Sequence, residues 1–264
     1  MRITRPRSPL EITWAVWRAL FLREAVSRLS AGRAAWLWLL FEPVVHVVFF
    51  MVIFGVIRQH TVGGVDGAMF IMTGVLGFFA FRNASARATN AVGANAALFA
   101  YRQVLPVDAV LVRAALEFVL LFFVAVIVLG GASVAGYEAL PQDPLRVVQA
   151  GAGLWLVGVG AGLVFSVGVE LVPEIGRFLD FFFNRSLYFA SGIFFPPLGI
   201  PQPYRDWLML NPLLHGVEAV RIGFFHQYQT TPDVDLGYLY GFALVTIFLG
   251  LALHARFALR LVTK

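Results

Sequence analysis

The stretch FRNASARATNAVGANAALFAYRQVLP, residues 81–106, follows directly on an apolar run and carries Arg82, Asn83, Arg87 and Asn90 at helical spacings. Ala84, Ser85, Ala86 and Ala88 fill much of the rest. Guanidinium groups offer planar donors that suit carboxylate and phosphate. A charged side chain inside a membrane span costs about 2.5–3.5 kcal/mol on insertion scales, so it normally faces a bundle interior or a wet cavity. Two readings follow. Either these residues wall a route for a hydrophilic substrate, or the span ends near Phe81 and both arginines snorkel to headgroups.

Other groups that could do chemistry are sparse. EPVVH places Glu42 and His46 at i, i+4 on one helical face. Two ligands are too few for a metal site, so no metal is expected, and a buried pair that fixes helix packing is the preferred reading. Glu117 and Glu170 are single acids, for which structural ion pairs rank above proton relays. There is no nucleophile elbow, Walker A, CxxC or HExxH pattern, so no catalytic residue, cofactor or ATP site is expected in this chain. If ATP energises transport, another subunit must hydrolyse it. The glycines of GAGLWLVGVGAG, from Gly151, suit close helix packing better than phosphate binding. Phe78, Phe79, Phe81, Phe181, Phe182, Phe183, Tyr188, Phe194 and Phe195 could stack on sugar rings, but composition alone favours the core.

The elements that must position these residues are membrane helices. Of 264 residues, 59% are hydrophobic and 13% charged, with 26 Phe. Soluble domains are about 45–50% apolar and about 25% charged. The expectation is a single all-α integral membrane domain over 1–264. Stretches 35–57, 67–91, 107–129, 147–171, 178–195 and 238–259 are each about long enough to span. Residues 8–30 repeat Leu10, Trp14, Trp17, Leu20 and Phe21 at helical spacing, with Glu11, Arg18, Arg23 and Arg28 on the other faces. They predict an amphipathic helix in the cytoplasmic interface, serving as a lipid anchor or as a docking surface.

The net charge of +5 comes almost wholly from arginine, Lys264 being the single lysine. In such a chain it argues for cytoplasmic-face anchoring and not for nucleic acid. With six spans, the arginine bias places both termini in the cytoplasm. There is no cysteine, so thiol chemistry is excluded, and no cleaved signal peptide is expected after MRITRPRSPLEITW. No internal repeat supports an inverted-repeat transporter. The segment from Phe189 to Arg221, broken by Pro196, Pro197, Pro201, Pro203 and Pro212, falls on the external side.

Three segments resemble the membrane subunits of ABC-2 type polysaccharide exporters, most nearly the capsular polysaccharide permeases of KpsM type. They are LFLREAVSRLSAGRAAWLWLLFEPVVHV, LFAYRQVLPVDAVLVRAALE, and PEIGRFLDFFFNRSLYFASGIFFPPLGIPQPYRDWLMLNPLLHGVEAVR. The likeness covers essentially the whole chain in order. The resemblance implies a homodimer of six-span subunits with two cytoplasmic ATPase subunits that bind ATP and Mg. It also implies export of a lipid-linked polysaccharide from the Gram-negative inner membrane, toward a periplasmic co-polymerase-type adaptor and an outer-membrane exporter.

On that resemblance, 94–104 is a coupling segment, with Leu98, Phe99, Tyr101 and Arg102 exposed toward the ATPase. Residues 196–225 are a re-entrant segment with Asn211 as N-cap, Pro212 at the first helical position, and Glu218 paired with Arg221. Phe194, Phe195, Pro196, Pro197, Leu198 and Ile200 are the expected external gate. Phe79, Phe183 and Tyr188 join Arg82, Asn83, Arg87 and Asn90 along the expected path. The alternatives are an ABC-2 permease for another cargo (O-antigen, teichoic acid, lipid or drug), a membrane enzyme acting on lipid-linked sugars, and a stand-alone channel.

Overall fold

The computed structural model describes residues 8–30, 32, 34–58, 61–182 and 186–262. Helix α1 spans Pro9–Leu29 and α2 spans Ala35–Val52, which widens into π-helical geometry over Ile53–Arg58. A two-stranded hairpin, Thr61–Val62 against Val65–Asp66, leads into α3, Gly67–Thr89. A short α4, Ala91–Ala94, and a 3-10 turn, Ala96–Ala100, precede α5, Pro106–Val134. Then come α6, Pro144–Leu171; α7, Ile175–Phe181; α8, Leu187–Ala190; α9, Tyr204–Met209; α10, Pro212–Phe224; and α11, Leu236–Val262.

Local sequence sets these starts. Four helices begin with proline in their first turn: Pro9, Pro106, Pro144 and Pro212. There its missing N–H costs nothing and its fixed φ suits the helix. Ser8 and Glu11 close a capping box on α1, while Asp66, Asp143 and Asn211 cap α3, α6 and α10 through their side chains.

Among the described residues, five helices are long and apolar enough to cross a membrane: Leu37–Gly55, Gly67–Thr89, Pro106–Val134, Pro144–Leu171 and Leu236–Val262. The expected 178–195 is not among them. Its described residues form the end of α7, then α8, and a turn at Ser191–Gly192; Phe183 and Arg185 lie outside the described residues. Gly192 ends the helical run with φ of 70°, a conformation that costs glycine little, and Leu214 packs where a side chain would stand.

Glycine contacts fix the helix directions. Gly158 and Gly162 of α6 bring its backbone against Phe81, Ala84 and Ala88 of α3. Gly153 and Gly160 do the same against Leu239 and Thr246 of α11, and Gly250 of α11 returns the contact at Leu163. Residue numbers rise together in both pairings, so α3, α6 and α11 run parallel. The glycine run of α6 is therefore a packing device on two faces. A hydrogen bond of 3.0 Å between Ser166 and His254 lies buried in the second seam.

The other long helices run the opposite way. His46 of α2 meets Phe79 of α3, while Gly55 meets Ala68. Helix α10 is antiparallel to α3: Arg221 sits by Phe70 and Gly74, and Val217 by Gly77. Because α6 and α11 are parallel, the chain between them must travel back the length of the bundle. It does so in pieces, through α7, α8 and α10. The 13 residues of α10 cover about 20 Å at a rise of about 1.5 Å each, so this helix reaches well into the bundle without crossing it.

One end of the bundle holds α1, the 90–106 segment and the end of α11. There Phe99, Ala91, Val92, Ala109, Val110 and Leu261 form one apolar cluster. The other end holds the hairpin, which accepts Gln229 N–H at Gly63 O, and the 142–143 turn, which meets Gly223 and His226.

Candidate functional site

The two arginines and two asparagines of α3 do not splay out to its end. Arg82, Asn83, Arg87 and Asn90 line one cavity of about 320 Å³, together with Phe79, Arg28, Glu42, His46 and Glu117. The cavity lies between α1, α2, α3 and α5. Helix α3 is buried from Gly67 to Phe81, and its polar residues begin where that envelope opens. Arg82 places its guanidinium carbon 5.7 Å from the Phe79 ring centre. Asn90 caps the C-terminal end of α3 and donates to Ala86 O at 3.0 Å.

An ionic cluster closes the cavity on the side of α1. Arg28 donates to Glu24 Oε1 at 3.2 Å and 3.3 Å and makes a short contact with Glu117 Oε1. Arg113 donates to Glu24 Oε2 at 3.3 Å and to Asn90 O at 3.3 Å. Arg87 stands 3.8 Å from the same Glu117 oxygen. Acids that are scattered singly along the sequence therefore converge in space. The i, i+4 spacing of Glu24 and Arg28 is visible in the sequence; their meeting with Glu117, 89 residues beyond Arg28, is not.

This changes the reading of α1. Its bundle-facing side carries Trp17, Leu20, Glu24 and Arg28, with Trp17 Nε1 donating to Asp108 at 2.8 Å and Arg23 to Asn95. Leu10, Trp14, Leu22 and Val26 point outward, with Trp14 69% exposed. Glu24 and Arg28 thus turn inward, while Glu11, Arg18 and Arg23 stay at exposed positions.

Above the cavity the walls become aromatic. His46, Phe50 and Phe54 lie one turn apart on α2 and its π-helical extension, and Tyr188, Phe189 and Phe194 gather beside them. Tyr188 Oη lies 3.0 Å from His46 Nε2. The expected Glu42–His46 pair is thus corrected. No hydrogen bond or ion pair joins the two among the described residues: both line the cavity, Glu42 at an exposed position, while the imidazole packs on Phe79 and meets Tyr188. Phe194 stacks on Phe54 and packs on Phe50 of the same chain. Phe195, Pro196 and Ile200 are half-buried, Pro197 is buried, and Leu198 is exposed.

The segment between α3 and α5 departs from expectation at two residues. Phe99, expected to be exposed, is only 4% exposed, because it points into the apolar cluster below α5, beside the buried Asn95 one turn earlier. Leu98 is half-buried, whereas Tyr101, at 68% exposure, and Arg102 project outward.

The Glu218–Arg221 pair is present and deeply enclosed. Arg221 Nη1 donates to Glu218 at 2.6 Å and to Gly192 O at 2.7 Å, and Nη2 donates to Ile193 O at 2.8 Å. Its guanidinium lies over the Phe70 ring at 3.5 Å. Glu218 accepts from Tyr228 and Thr230. Burial pushes the Tyr228 hydroxyl far above its ordinary range, so it remains a donor.

Sequence comparison gives the lineage. Residues 15–225 match the ABC-2 type transporter family. The chain belongs to that family. This ABC-2 chain is 36% identical to the polysialic acid transport protein KpsM of Escherichia coli, over 94% of its own length and 95% of that protein's. It is 28% identical to the capsule polysaccharide export inner-membrane protein CtrC of Neisseria meningitidis, over 91% and 90%. To the capsule polysaccharide export inner-membrane protein BexB of Haemophilus influenzae it is 26% identical, over 96% and 94%. The ABC-2 match takes in α1 from Ala15 onward, the cavity and the broken return limb.

Proposed function

We propose that this ABC-2 chain is the membrane-spanning permease subunit of an ATP-driven exporter that carries a capsular, lipid-linked polysaccharide across the inner membrane. The observation that carries the reading is the cavity, which gathers Arg82, Arg87, Asn83 and Asn90 under a wall of aromatic rings. Guanidiniums suit acidic groups on a glycan, and rings such as Phe79 and Tyr188 suit its apolar faces. Relatives named for polysialic acid and capsule export support the cargo class.

In this reading α7 and α8, with the residues between them, make a sixth crossing. The parallel run of α6 and α11 supports it, as do outward-facing Phe178, Phe181 and Phe189. Both termini are then cytoplasmic, in keeping with the arginine bias. The 196–225 segment dips back from the periplasmic face and borders the exit, where Leu198 and Ile200 of two protomers meet. Tyr101 and Arg102 dock a separate ATPase subunit that supplies ATP and Mg; Phe99 anchors that segment from within. A homodimer with two such ATPases delivers the polymer to a periplasmic adaptor and an outer-membrane exporter.

The test is deletion in the native host. Polysaccharide should accumulate inside the cell and vanish from its surface, and the cloned chain should reverse both. Unchanged surface polysaccharide in the deletion strain, with another compound retained inside, would assign a different cargo.

A further inference from the structure

The ionic cluster beside the cavity has an uneven charge distribution. It holds two carboxylates, Glu24 and Glu117, and three guanidiniums, Arg28, Arg87 and Arg113. Four of these five are largely enclosed. Arg113 is paired with Glu24, and Arg28 bridges both acids. The excess positive charge therefore falls on Arg87, whose side chain is 62% exposed and stands 3.8 Å from Glu117, beyond hydrogen-bond reach.

We propose that Arg28 is a positioning residue that masks Glu117 and so keeps Arg87 available to an anionic group, carboxylate or phosphate, of the passing substrate. This rests on the export reading above. Glu117 faces two arginines through one oxygen. While Arg28 holds that oxygen by hydrogen bond, Arg87 keeps only a longer ionic contact with it. Without Arg28, the unmasked carboxylate takes Arg87 itself, since an enclosed acid without a partner is costly. The anion then meets a neutral pair in place of a cation.

The experiment places variants on the host chromosome and reads surface and intracellular polysaccharide per unit of membrane-inserted permease. Arg28→Gln should lower export about tenfold, the scale of one lost charge-assisted hydrogen bond. Glu117→Gln alone should export better than Arg28→Gln, because no acid then competes for Arg87. The double variant, Arg28→Gln with Glu117→Gln, should return to within about twofold of native, a coupling expected only of interacting sites. If the bridge merely holds helices together, Glu117→Gln and the double variant will both fail as Arg28→Gln does, and the proposal falls. This decision stands even if Arg28→Gln alone is lost from the membrane, because Glu117→Gln separates the two cases by itself. Arg87→Gln distinguishes the levels of the argument. Full export by Arg87→Gln removes the cationic path together with this inference, whereas failed export by Arg87→Gln without rescue in the double variant removes this inference only.

Discussion

Arg221 reaches from α10 to Glu218, one turn before it, and to the carbonyls of Gly192 and Ile193, so one guanidinium ties the return limb to the turn beyond α8. Both side chains of the pair are fully enclosed. Removing one partner of such a pair leaves an uncompensated buried charge, at a cost of about 3–5 kcal/mol. Arg221→Ala and Glu218→Gln should each sharply lower the melting temperature of detergent-purified protein. Gly74→Ala should do so too, because its new methyl would enter the space of the Arg221 guanidinium. Unchanged melting in all three would show that the pair is not holding the limb.

Within the cavity, Arg82 and Arg87 share one wall. Arg82→Ala with Arg87→Ala should impair export severely while protein level and assembly with the ATPase stay normal. Surface polysaccharide against membrane-inserted permease measures this directly.

In the 90–106 segment, the two aromatic residues should behave differently. Tyr101→Ala with Arg102→Ala should weaken co-purification of the ATPase and uncouple export from hydrolysis, leaving the fold intact. Phe99→Ala should instead destabilise the chain by about 3–5 kcal/mol, as truncation of a buried Phe does. Equal loss of ATPase binding at equal melting temperature for both would contradict this division.

Single cysteines test the external edge without interference, since the native chain has none. Leu198→Cys, exposed on the 196–200 turn, should crosslink between protomers and block export when tethered. Phe194→Cys should crosslink poorly, because Phe194 packs on Phe50 and Phe54 of its own chain. Full export through a verified crosslink at 198 would mean the turn caps the assembly without gating it.

Much of this architecture is written in short-range patterns. Apolar length marks the long helices, proline and Asn211 mark the start of α10, and glycine spacing marks α6 as a close-packed helix. The i, i+3 spacing of Glu218 and Arg221 announces their pair. What escapes depends on contacts far apart in the chain. The Arg28–Glu117 contact joins residues 89 apart, and His46 prefers Tyr188, 142 residues on, to Glu42 one turn away. Phe99 looks exposed in sequence because many of its neighbours are polar or small; only the meeting of α5 and the end of α11 buries it. The orientation of α1 is half legible: its stripe is visible, but a stripe alone does not say which side meets lipid.

Helix α3 is the least apolar of the five long helices and the most enclosed. Its Arg82 and Arg87 face α1, α2 and α5, while its small-residue and apolar faces are covered by α6 and α10. The surfaces that shelter it arrive late: α6 begins 55 residues after α3 ends, and α10 later still. The face of α3 that α6 covers therefore stays open until α6 has been synthesised. Biogenesis of this protein is then a delayed assembly around one helix. Substitutions that loosen the Gly158 and Gly162 seam should be read first as failures of insertion, seen as degradation soon after synthesis, before any question of transport arises.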